Sequence, residues 1–244
     1  MAAIGENTGA LVAAPERREV SWLRQAWLVY KKDLRVEIAT GEIVATSGFF
    51  GLPIVVIGSL SFYAGPNAEV EVAPGVIWVA VAFASVLALS RTWQREREND
   101  ALSGLLVGPV KRSAIFAGKA LGVATFISVI QLLVLLGTSV FFSIPLGERG
   151  LGLVVLSLAA NPGIAAAGTL FGAMTVRTAA RDLILASVLF PLLAPTLLAG
   201  VAGTRELLDG VPLHMLTDYL QLMMVFALVF IAGGLSLFGA LIES

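Results

Sequence analysis

Residues 120–147 read ALGVATFISVIQLLVLLGTSVFFSIPLG, 28 positions without one charged side chain. At 1.5 Å rise per residue, a helix of that length exceeds the roughly 30 Å of a bilayer's hydrocarbon core. A soluble helix rarely runs so far uncharged, because one of its edges faces water. Five more charge-free stretches accompany it: Ile43–Ala68, Val72–Ser90, Gly150–Val176, Leu183–Thr204 and Tyr219–Ile242. All are continuous apolar runs without sustained period-two alternation. Lipid-facing backbone must satisfy its own hydrogen bonds, so such runs favour helices over a barrel. The predicted fold is all-α: a polytopic membrane protein of six transmembrane helices preceded by an amphipathic interfacial helix.

With 57 % apolar and 14 % charged residues, six spans and their connections use up most of the 244-residue chain and leave no room for a soluble catalytic domain. The chain has no cysteine, which removes disulfides, thiolate metal sites and cysteine nucleophiles. Its first 15 residues lack the basic start and apolar core of a cleaved signal peptide, and residues 1–19 read as a flexible tail. A net charge of −1 conceals an asymmetry: 14 of the 16 basic residues precede span 1, lie between spans 2 and 3, or lie between spans 4 and 5. The positive-inside rule therefore places both termini in the cytoplasm.

Residues 20–42 form the one amphipathic segment. Trp22, Leu23, Trp27, Tyr30, Leu34 and Ile38 supply an apolar side at helical spacing, while Arg24, Lys31, Lys32, Arg35 and Glu37 occupy much of the remainder. The composition suits a helix lying along the cytoplasmic leaflet, with aromatic rings at headgroup depth and basic residues near anionic lipid. Residues 43–242 then form the six-helix permease domain.

Within that domain Gly168 and Gly172 have the spacing that lets helices approach closely, which is expected to serve packing within the protomer, with a dimer seam or a gate as the alternative. Asn161 and Gln131 are expected to hydrogen-bond across helices. Pro191 and Pro195 interrupt span 5, and Lys119, at the cytoplasmic end of span 3, is expected to snorkel toward the headgroups. The outer segment from Arg205 to Asp218 has room for a short helix. Span interiors hold no charge, which argues against an ion-coupled carrier or a proton pump.

The connection from Arg91 to Lys119, RTWQRERENDALSGLLVGPVKRSAIFAGK, is too organised for a plain linker. A charged run, Arg95, Glu96, Arg97, Glu98, Asn99 and Asp100, precedes an apolar element with Leu102, Leu105 and Leu106, which Gly108 and Pro109 end. Asn99 or Asp100 can cap that element, and an acidic first turn suits its helix dipole. The expected product is a helix over about 99–107, roughly two turns long, which needs a packing partner because so short a helix is marginal in water.

These residues carry a resemblance. From Trp22 to about Ala240 the chain resembles the heme exporter protein B family, the permease subunit of the cytochrome c maturation ABC complex. The resemblance rests on the segment Arg97 to Pro109 and on Ala73-Pro74-Gly75-Val76-Ile77-Trp78-Val79 at the start of span 2. It implies a type-2 ABC permease in the bacterial inner membrane whose 99–107 helix couples to a separate ATP-binding subunit. ATP and Mg²⁺ are then held by that partner, and this chain binds no cofactor, with heme involved only indirectly. The sequence itself has no GxxxxGK[ST] phosphate loop: Gly118-Lys119 is followed by alanine.

The other implied partners are a second copy of the chain, further cytochrome c maturation membrane subunits, the periplasmic heme chaperone and membrane lipids, with no nucleic acid among them. No metal ligand is assigned. His214, the one histidine, has the generic chemistry of an axial heme ligand but reads as a lone polar residue near the outer interface. The residues alone leave two rival functions open: an exporter permease for a lipid, glycan or drug, and a non-transporting membrane scaffold.

Overall fold

The computed structural model describes residues 20–61, 67–98, 104, 108–175 and 181–243; the 1–19 tail lies outside them. Its helices are α1 (Trp22–Thr40), α2 (Glu42–Ser61), α3 (Ala68–Glu71), α4 (Ala73–Glu98), α5 (Arg112–Phe142), α6 (Leu146–Thr175), α7 (Arg181–Leu208) and α8 (Thr217–Glu243). A 3₁₀ turn spans Leu213–Met215. Among the described residues, six helices are long and apolar enough to cross a membrane: α2 and α4 through α8. They match the six charge-free stretches in order. Gly41 separates α1 from α2, because its left-handed φ of 63° ends α1 while its N–H still bonds Glu37 O. That conformation costs glycine nothing and other residues something.

Chain direction alternates from span to span, so the start of α2, the end of α4, the start of α5 and the end of α8 share one end of the bundle. This is the end rich in basic residues. α4 and α6 are the most enclosed spans and α8 the least. Small residues allow the close approach: a Cβ at Gly168 would overlap Leu89 and one at Gly172 would overlap Trp93, so both glycines seat α6 directly on α4. At the other end, Trp78 of α4 fits over Gly200 of α7, and its Nε1 donates to Thr204 Oγ1 at 2.9 Å. Such an interhelical bond contributes about 1 kcal/mol in a membrane.

Several expectations change. α7 runs unbroken through Pro191 and Pro195, since a membrane helix tolerates proline where neighbours re-satisfy the freed carbonyl. α4 does not stop where the charge-free stretch ends at Ser90 but continues to Glu98, so the charged run begins inside a helix. Between α7 and α8 the outer segment folds as the last turn of α7, a tight turn and the 3₁₀ turn, in place of a separate α-helix. Of the two amides, Asn161 of α6 does bond across helices, its Nδ2 donating to Ser128 Oγ of α5 at 3.0 Å. Gln131 does not: neither amide atom of this buried side chain has a partner among the described residues.

Candidate functional site

α1 is held against the bundle by a stripe at four-residue spacing. Gln25, Val29, Asp33 and Glu37 are buried, whereas Leu23, Trp27 and Ile38 are 73 %, 55 % and 76 % exposed. The helix thus turns its polar stripe inward and much of its apolar side outward, the reverse of a helix on a soluble protein and the arrangement a lipid surface favours. Its seat is the start of α5. Trp22 Nε1 donates to Ser113 Oγ at 3.0 Å, and the Lys111 N–H donates to Gln25 Oε1 at 2.8 Å. Gly118 lies under the α1 backbone, where an added Cβ would come within 2.5 Å of Ala26 O.

The inward carboxylates organise a charge cluster. Lys119 of α5, with a fully buried side chain, reaches Asp33 Oδ2 at 2.9 Å and also pairs with Glu96 Oε1 of α4. Lys32 of α1 closes the group, 2.9 Å from Glu96 Oε1 and 3.2 Å from Asp33 Oδ1. Beside it, Arg95 of α4 reaches Glu37 Oε2, Glu42 Oε2 and Thr40 Oγ1, each at 3.2 Å. Glu37 Oε1 accepts the Val44 N–H of α2 at 2.9 Å. Four helices are joined in this way, around a cavity of about 330 Å³ lined by Lys32, Asp33, Arg95 and Glu96 together with Val36, Ile43, Thr92 and Phe126.

Buried charges are tolerable only when paired, and removing one partner of such a group typically costs about 3–5 kcal/mol. Burial acts against the Lys32 ammonium, but Asp33 and Glu96 outweigh it and hold its pKa above the ordinary lysine value. The cluster therefore keeps this charge throughout the physiological pH range. Lys119 does not snorkel as its position suggests: Asp33 and Glu96 provide counter-charges close at hand, and the chain's own carboxylates replace the headgroup region.

Among the residues assigned to coupling, Arg95 and Glu96 point into this cluster, while Arg97 and Glu98 are exposed on the last turn of α4. Asn99, Asp100, Leu102, Leu105 and Leu106 lie outside the described residues, as does the 99–107 helix apart from Gly104. On α1, Trp22, Tyr30 and Leu34 are half-buried. His214 is exposed on the 3₁₀ turn, at the end of the bundle opposite the cluster. No group of three His, Cys, Asp or Glu able to hold a metal occurs among the described residues. Sequence reasoning missed Asp33, Glu37 and Lys119 as partners. One signal was available: Gln25, Asp33 and Glu37 share a single helical stripe on an otherwise basic and apolar helix.

The fold and cluster can be set beside known proteins. Residues 24–238 match the family model described as CcmB protein, a span that includes every member of the cluster. The chain is similar to heme exporter protein B of Rhodobacter capsulatus, 31 % identical over 197 residues that cover 76 % of this chain and 86 % of that protein. It is 25 % identical to heme exporter protein B of Bradyrhizobium diazoefficiens over 185 residues, 74 % of this chain and 81 % of that protein. With heme exporter protein B of Escherichia coli the match is 28 % over 95 residues, covering 39 % of this chain and 43 % of that protein.

Proposed function

The chain belongs to the CcmB protein family, and on that premise we propose that it is the membrane permease subunit of an ATP-dependent ABC complex in cytochrome c biogenesis. A separate subunit binds and hydrolyses ATP with Mg²⁺ and docks on the 99–107 segment. The work done is release of the heme-loaded periplasmic chaperone, and free heme is not itself carried through this chain. The complex lies in the bacterial inner membrane with the basic end of this subunit, and so both termini, in the cytoplasm.

The observation that supports this reading is the position of the charge cluster relative to the segment that would dock the ATPase. That segment leaves α4 just after Glu96 and Glu98 and enters α5 at Arg112, two turns before Lys119. Glu96 and Lys119 are paired with each other and, through Asp33 and Lys32, with α1. A push on the segment cannot separate the end of α4 from the start of α5 without exposing unpaired charge, so the three helices respond as one body. Motion delivered by the ATPase therefore reaches the spans, where a loose loop would dissipate it.

Deleting the gene tests the assignment. Heme staining and difference spectra are expected to show loss of holo-cytochromes c with b-type cytochromes retained, and restoration by a His214→Ala chain, since His214 is given no ligand role. Intact c-type cytochromes in the deletion strain would move the reading to an exporter of another substrate.

A further inference from the structure

Halfway through the membrane, far from the charge cluster, polar atoms lie buried without partners. Gln131 is 1 % exposed, and neither its Oε1 nor its Nε2 has a hydrogen-bond partner among the described residues. Asn161, also 1 % exposed, spends Nδ2 on Ser128 and leaves Oδ1 unpartnered. Both side chains line a cavity of about 140 Å³ between α5 and α6, with Leu132, Val154 and Leu158 exposed at its rim. Hydrocarbon offers nothing to such atoms, so an unfilled niche here is costly.

The niche constrains its occupant. Gln131 lies near the midpoint between Lys119 and Glu148, deeper than lipid headgroups reach. None of the residues lining the cavity is charged, so an anionic group would find no counter-charge. Its volume suits one side chain, and its orphans include both a donor and acceptors, which asks for a neutral group that does both. A second copy of this chain is a poor match: among the described residues Ser85 and Thr196 are buried, Thr125 spends its hydroxyl on Leu121 O, and Ser128, Gln131, Ser157 and Asn161 line the niche itself, so two niches set face to face fill neither. The surrounding face is built for a helix. Leu121, Leu132 and Leu136 of α5 are exposed alongside Leu151 and Leu158 of α6, an apolar ridge of about 22 Å along α5.

We propose that this niche receives a transmembrane helix of a different subunit, which sets one amide or hydroxyl side chain against Gln131 and Asn161 at mid-membrane. The proposal rests on the reading that the chain works within a membrane complex, but not on the route by which ATP hydrolysis is coupled.

The test is a benzophenone amino acid placed at Leu158 or at Leu132 and irradiated in native membranes that contain the whole complex. The adduct is mapped by mass spectrometry, and retention of the ATPase subunit is measured in parallel. The expected adduct joins the niche to a membrane-spanning segment of another subunit that carries an amide or hydroxyl at that depth. Its yield is expected to fall about five- to tenfold in Gln131→Leu, the loss of one interhelical hydrogen bond, with the ATPase subunit still bound. Should Gln131→Leu fail to accumulate, Gln131→Met, which keeps the side-chain length, provides the same comparison. Adducts with lipid alone, adducts with a second copy of this chain, or a partner adduct undiminished in either variant would each overturn the proposal. An ATPase subunit retained without a partner adduct would count against the niche alone, whereas its absence from the unmodified complex would count against the proposed function.

Discussion

Lys119 carries its ammonium to a place that water does not reach, and two carboxylates from other helices make this possible. Lys119→Met removes the cation and leaves Asp33 and Glu96 facing each other, with only the partly exposed Lys32 between them. We expect a loss of about 3–5 kcal/mol, the usual cost of breaking a buried ion pair from one side. Thermal unfolding in detergent will show it as a lower midpoint. Adding Asp33→Asn and Glu96→Gln is expected to restore most of that midpoint, because a neutralised group no longer buries unpaired charge, while Lys32 can turn to solvent. A single variant as stable as the parent would mean that the cluster is not sealed from water. None of this was legible residue by residue: Lys119 and Asp33 are 86 positions apart, and a lysine at the end of an apolar run looks the same whether it snorkels or pairs inward.

At the scale of elements, the distinction between span and connection was open to sequence reading because the absence of charge over twenty or more positions is a property of the linear chain. Helix ends were less so. α4 continues through Arg91–Glu98 because its charged side chains find partners on α1 and α2, which a hydropathy boundary does not register. The apolar side of α1 was readable, and the buried stripe on its other side was not put to use. That stripe depends on Gly118, which lets the α1 backbone settle on α5. In Gly118→Val the new side chain meets Ala26 O and Val29, so α1 must lift or shift. The expected consequence is disruption of the Trp22–Ser113 and Gln25–Lys111 contacts together with the Asp33–Lys119 pair. Limited proteolysis between Val20 and Gly41 is expected to accelerate several-fold as a result, while the six spans remain inserted. Unchanged protection of α1 in that variant would show that its seat is wider than the structure indicates.

Taken whole, the molecule is six spans with a charge cluster at the basic end and a neutral polar niche between α5 and α6. The fold and membrane class followed from charge spacing, and the family from residues 24–238. Both polar sites required the folded chain, since each is assembled from side chains of more than one helix. In the proposed function the cluster transmits motion from the 99–107 segment to the spans. Its most direct test is the holo-cytochrome c content per copy of complex in the Asp33→Asn, Glu96→Gln, Lys119→Met variant, which is expected to insert and to retain the ATPase subunit. Maturation is expected to fall about tenfold, within the usual range of a coupling free energy, although the ATPase still binds and hydrolyses ATP. Maturation at the parental level in that variant would contradict it.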